Sequence, residues 1–261
     1  GERGDPTNAD VVLQKSTVWG PANEIRYSDL DFPFIVVTPI STEWYNSLAD
    51  EYNAMIEYLK SSTRIDPDRI YFTGGSAGAS GVIEFAQAHT QQLAAIVLAG
   101  MQDQPPWAPE RLQEMPSWFF HAFADQAVSR ERTIVWVDAI ANSFGYSPVS
   151  CMDNYPYGTP VNGNPTYNPD NHTGSFRPGL GWIWTRYTVP SDDSSLLFTM
   201  MSTDLHNVWQ YAVTKDTVLH WMTKQRRQSP YGGTAVTLPG RVQAEAFDYG
   251  GHLRAYRDTT I

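Results

Sequence analysis

Short β-forming runs separated by stretches of helical periodicity constrain this chain more than any other feature. RIYFT (69–73), AAIVLAG (94–100), SWFFHAF (117–123) and SLLFTMM (195–201) are apolar and rich in β-branched or aromatic residues. FPFIVVTPI, stopped at Pro39, reads as a further buried strand. Between the runs, Leu48, Tyr52, Met55, Ile56 and Leu59 recur at helical spacing and predict an amphipathic helix over about 47–62. Helices are expected again over 77–89 and about 129–144, the latter marked by Ile134, Val137, Ala141 and Phe144. A closing helix over 208–225 ends in basic residues, which suit the negative end of a helix dipole. Strands alternating with helices predict an α/β fold with a doubly wound, mostly parallel sheet. From about 146 to 190 the rhythm breaks into a long passage rich in Pro, Gly and Asn, too long for a simple connection.

At 261 residues and 41% hydrophobic content the chain can bury a sizeable core, and it has no apolar run long enough to span a bilayer. Acidic residues outnumber basic ones 28 to 18, a net charge of −10 that would repel a phosphate backbone; nucleic acid is not an expected partner, nor is a membrane. The 9 Trp and 14 Tyr point instead to uncharged ligands. Cys151 is the only cysteine, so no disulfide can form within these residues.

The run RIYFT leads straight into Gly74-Gly75-Ser76-Ala77-Gly78, a Gly-x-Ser-x-Gly pattern. Chance alone supplies roughly 0.1 copies of that pattern in a chain this long, so its context must carry the weight. Here it sits where a predicted strand becomes a predicted helix, the setting of a nucleophile elbow. Small neighbours let the chain turn sharply, and the Ala77 N–H at the helix start can donate to an oxyanion. The plain alternative is a Gly-rich turn in which Ser76 merely caps the helix.

A serine hydroxyl needs a base to take its proton, and the base needs an acid to orient it. In a sheet of this kind the acid follows a strand and the histidine comes late. Asp125 follows SWFFHAF in a short loop and is the expected acid; Asp103, after the preceding strand, competes, while Asp204 lies too near the base in sequence. His206 follows the last strand and is the expected base. His220 falls within a helix, His121 within a strand where packing is expected, His172 in the long insertion where exposure is expected, His89 at a helix end and His252 in the tail. No His-Glu-x-x-His occurs, so metal catalysis lacks sequence support, and no catalytic cofactor is expected.

Taken together, GERGD, DFPFIVVTP, DPDRIYFTGGSAGASGV, MPSWFFHAFADQAV and HNVWQYAV resemble bacterial esterases of the α/β-hydrolase superfamily. The groups most resembled are polyhydroxybutyrate-depolymerase-like esterases and feruloyl or acetylxylan esterases, some labelled predicted peptidases. The resemblance covers about 1–228 and implies Ser76, Asp125 and His206 as a triad. In such esterases GERG follows His-Gly-x at the end of a strand whose loop supplies an oxyanion N–H. The resemblance therefore implies an oxyanion hole of Ala77 with a donor near Gly1, and N-terminal strands upstream of Gly1 in a longer chain. Ala79 stands where relatives often carry another Gly.

After a linker expected over 229–240, LPGRVQAEAFDYGGHLRAYRDTT resembles the first strands of a family-six-like carbohydrate-binding module, truncated here to 241–261. The resemblance implies that Glu245 would bind a structural calcium in the complete module, and that the protein is secreted and works on polysaccharide. The alternative for this tail is a final strand of the hydrolase domain. In the insertion, Tyr155, Tyr157, Tyr167, Phe176, Trp182 and Trp184 could present flat faces to a sugar or feruloyl ring, or could form a private core of the loop. Gly75, Trp182 and Trp184 are the candidate substrate contacts. The expected activity is deacylation of plant-polysaccharide esters, feruloyl or acetyl groups on xylan-type substrates. A serine peptidase or polyester depolymerase with the same triad is one alternative. A non-catalytic carbohydrate-binding protein on a hydrolase scaffold is the other.

Overall fold

The computed structural model describes residues 7–18, 20–27, 32–41, 48–102, 107–156, 171–186 and 195–227. Gly1, Asp103, Tyr157, Tyr167, Glu245 and His252, with the expected linker and module, lie outside the described residues.

Six strands form one sheet: β1 (Tyr71–Gly75), β2 (Ala95–Ala99), β3 (Ser117–Ala122), β4 (His172–Arg177), β5 (Gly181–Arg186) and β6 (Leu196–Met201). Their order is β1-β2-β3-β6-β4-β5, with β1, β2, β3 and β6 mutually parallel and β4 antiparallel to both β6 and β5. The expected α/β, mostly parallel sheet is therefore present. Its middle strands β2, β3 and β6 are buried along their whole length, as strands covered on both faces must be.

Alternate side chains of these strands enter two separate cores, because successive residues of a strand point to opposite faces. Ile96, Leu98, Phe119 and Phe198 meet α3 (Ala49–Ser62), α4 (Ala77–Ala88) and α5 (Glu131–Ser143) on one face. Ala95, Val97, Ala99, Trp118, Phe120 and Leu197 meet α6 (Trp209–Thr214) and α7 (Asp216–Lys224) on the other. The predicted closing helix is thus two helices, separated at Lys215, whose backbone is extended (φ −79°, ψ 126°). Two short helices, α1 (Ala9–Ser16) and α2 (Pro21–Tyr27), precede the sheet and were not expected from the sequence. Asn8 caps α1 by accepting from the N–H groups of Asp10 and Val11, and Glu24 of α2 accepts from Gln210 of α6.

Two stretches depart from expectation. The chain 32–41, expected as a strand, runs extended with no ladder partner among the described residues; Ile35 and Val37 stay exposed, and Phe34 packs edge-on against Tyr71. The passage after 146 is not wholly irregular: β4 and β5 are a hairpin that widens the sheet. Its turn is built by Pro178 and Gly179, with Leu180 N–H donating to Arg177 O (3.0 Å) and Gly179 at φ +82°. That is the geometry of a type II turn, which favours Pro then Gly at its centre.

Candidate active site

Parallel strands bring their C-terminal ends to one edge of a sheet, and loops leaving that edge can converge. Ser76 leaves β1, Asp125 follows β3, and His206 follows β6. Ser76 still belongs to the ladder, its N–H donating to Ala99 O (2.9 Å) before the chain turns into α4. It is the one non-glycine residue with positive φ among the described residues (φ 54°, ψ −124°). A conformation of that kind costs about 1–3 kcal/mol and persists only where its surroundings over-determine it.

The neighbouring glycines show how. A Cβ on Gly74 would lie 2.4 Å from Gly78 O and 2.7 Å from Ala79 N, so strand and helix approach here backbone to backbone. Gly74→Ala should therefore force the elbow open, lowering stability by about 3 kcal/mol in urea unfolding, with loss of any activity that depends on Ser76. Ser76 makes no capping bond to α4, contrary to the plain reading of the motif. Its hydroxyl donates instead to His206 Nε2 at 2.9 Å.

From β6, residues 203–206 turn back across the ends of β3 and β2 to reach Ser76. Thr203 O accepts from Ala124 N–H (3.1 Å), and His206 lies on Gly100 at the end of β2. Gly100 has φ +56°, and a Cβ there would stand 3.3 Å from His206 Cε1. Trp209 then closes over Gly75 and meets the His206 ring edge to face, centroids 5.2 Å apart. A Cβ on Gly75 would come within 2.5 Å of Trp209 Cδ2, so the Cα of Gly75 is a seat for the indole. Gly100 and Trp209 were missed in the sequence; the signal available was a Gly ending a strand and an aromatic three residues past His206.

His206 Nδ1–H donates to Asp125 Oδ2 at 2.7 Å. The other carboxylate oxygen accepts from the N–H groups of Ala127 (2.8 Å) and Val128 (2.9 Å). The Asp125 side chain is fully buried while His206 retains 22% exposure, so the chain of hydrogen bonds runs from a dry anchor toward solvent. Burial by itself pushes the Asp125 carboxyl up, but the bonds from His206, Val128 and Ala127 outweigh it and hold the group below the usual carboxylate range. Ala77 opens α4, so its N–H has no intrahelical acceptor and is free to face a developing charge.

The remaining candidates sit elsewhere. Asp204 is exposed, His220 is exposed on α7, and His89 caps α4 while stacking on Phe85. His172, expected to be exposed, is buried in β4 with Tyr155 against its ring. Trp182 is 3% exposed and joins Phe176 and Tyr155 in the core, so it has no face to offer a ligand. Trp184 is half-buried between Tyr155, Trp182 and Phe198, and donates its indole N–H to Cys151 O (3.0 Å). The hairpin aromatics thus pack into the core, which corrects the assignment of Trp182 as a substrate contact. Among the described residues no group of three His, Cys, Asp or Glu side chains is arranged to hold a metal ion, and no helix is long and apolar enough to cross a membrane.

No protein-family model matches this chain, and no curated protein matches it. Among solved structures, the crystal structure of a thermostable esterase is similar to it at 18% identity, covering 81% of this chain and 42% of that one, with a TM-score of 0.46.

Proposed function

We propose that this chain is a serine carboxylic ester hydrolase in which Ser76 is the nucleophile, His206 the general base and Asp125 the orienting acid. The observation that supports it is the unbroken hydrogen-bond chain Ser76–His206–Asp125, whose first link is 2.9 Å and second 2.7 Å. His206 takes the Ser76 proton as the oxygen attacks the ester carbonyl. Asp125 holds the tautomer in which Nε2 is free to accept, and stabilises the imidazolium that results. The Ala77 N–H, with a second donor near Gly1, binds the tetrahedral oxyanion, each worth about 3 kcal/mol in the transition state. His206 protonates the departing alkoxide, leaving an acyl-serine. Water, activated by the same imidazole, then attacks the acyl carbonyl and restores the hydroxyl. These steps consume only ester and water.

For substrate we propose feruloyl or acetyl esters of xylan-type polysaccharide, acted on outside the cell. Support comes from the esterase motifs and from the tail's resemblance to a carbohydrate-binding module, where Glu245 would hold a structural calcium. Release of ferulate and acetate from esterified xylan oligomers, compared with cleavage of peptides and hydroxybutyrate oligomers, tests this. The xylan esters are expected to be hydrolysed faster. Activity confined to peptides or hydroxybutyrate esters would replace the substrate class while leaving the nucleophile in place.

A further inference from the structure

His121 is the penultimate residue of β3, wholly buried, on the strand that delivers Asp125. A buried imidazole on a core strand could be mere filling, but both its nitrogens have polar neighbours. Nε2 meets the backbone carbonyl of Val128 at 3.1 Å and stands 3.4 Å from Asp125 Oδ2. Nδ1 meets the hydroxyl of Thr133, on α5, at 2.7 Å. Thr133 is itself fully buried.

The acceptors decide the tautomer. A carbonyl oxygen and an ionised carboxylate carry no proton, so Nε2 must be the protonated nitrogen, and Nδ1 accepts from the Thr133 hydroxyl. Burial pushes the His121 imidazole below the usual histidine range, against the pull of the Val128 carbonyl and the Asp125 charge, so the ring stays neutral. A neutral ring in this tautomer aims one N–H into the gap between Val128 and Asp125.

That gap controls both oxygens of Asp125. Oδ2, which accepts from His206, has His121 as its only other polar neighbour among the described residues. Oδ1 accepts from Val128 N–H, and Val128 is the residue whose carbonyl His121 holds. His121 Nε2 therefore lies against the carboxylate at one oxygen and, through its hydrogen bond to Val128 O, holds the 125–128 turn that binds the other. We infer that His121, set by Thr133, is a positioning residue that fixes the angle at which Asp125 presents Oδ2 to His206. The inference rests on the proposed roles of Ser76, His206 and Asp125.

A Gln at 121 can place an amide N–H near the same gap, whereas an Asn, one methylene shorter, falls short of it. Hydrolysis of p-nitrophenyl acetate by His121→Gln and His121→Asn is compared with wild type, with melting temperature measured for each. The expected result is a kcat for His121→Asn lower by roughly 10- to 100-fold at a KM within about twofold, with His121→Gln within about threefold of wild type. Equal losses in both variants, tracking their melting temperatures, would reduce His121 to packing and overturn the inference, as would wild-type kcat in His121→Asn. If either variant fails to fold, Thr133→Val decides: several-fold lower kcat at unchanged KM supports the inference and unchanged kcat overturns it. Ser76→Ala, assayed alongside, separates the two levels. Wild-type activity in Ser76→Ala removes the nucleophile and the inference together, while an inactive Ser76→Ala with a fully active His121→Asn removes the inference alone.

Discussion

Ser76→Ala is expected to lower kcat for p-nitrophenyl acetate by about 10⁶-fold while shifting the melting temperature little. The size follows from the role proposed for the residue: without the hydroxyl no acyl intermediate could form, and His206 would have no proton to accept. The small stability change follows from geometry. Alanine meets the same backbone strain as serine at φ 54°, so the elbow is neither relieved nor worsened. The one interaction lost is the bond to His206, whose net worth is about 1 kcal/mol. A large fall in rate with a near-normal melting curve distinguishes a reacting group from a structural one. A non-catalytic scaffold would give the same low ester turnover for wild type and variant.

Asp125→Asn is expected to cost about 10⁴-fold in kcat, measured in the same assay. Asparagine can still accept from Ala127 and Val128 through its oxygen, so the 125–128 turn survives. That choice turns the amide NH₂ toward His206 Nδ1, which must then accept, and the imidazole proton moves to Nε2. A protonated Nε2 cannot take the Ser76 proton. The same variant reports on acid stability. The folded carboxyl titrates below its unfolded value, so ionised Asp125 stabilises the fold fully above the unfolded value, and that contribution disappears as pH falls through the lower, folded one. Urea unfolding between about pH 5 and about pH 1 should therefore show a shallower acid loss for Asp125→Asn than for wild type.

Much of this site could be read from the sequence because its parts fall at the ends of strongly patterned strands. RIYFT, AAIVLAG, SWFFHAF and SLLFTMM appear as β1, β2, β3 and β6 to within two residues at each end, and each displays an apolar run that a two-sided parallel strand requires. Ser76 and His206 follow such runs closely, so strand order alone narrowed the choice. The β4–β5 hairpin was hidden because Pro178 and Gly179, its turn signal, lie in a passage already dense with Pro, Gly and Asn. Trp182 was misread for another reason: an aromatic that stacks on a sugar and one that fills a core have the same local signature. Only the pairing of Phe176 with Trp182, which closes the hairpin over the sheet's first core, separates them. The break at Lys215 carries no Gly or Pro, so the apolar periodicity runs through it unmarked. His121 reads as packing in the sequence because its partners, Val128, Asp125 and Thr133, come from a loop and a helix that strand patterning does not place.

Reaction with a fluorophosphonate probe, followed by peptide mapping, tests the central claim most directly, since the probe bonds only a serine whose proton a neighbouring base removes. Label is expected on Ser76, with the rate of labelling falling about 100-fold or more in His206→Ala. Label on a different serine, or an unchanged rate on Ser76 in the absence of the His206 imidazole, would contradict it.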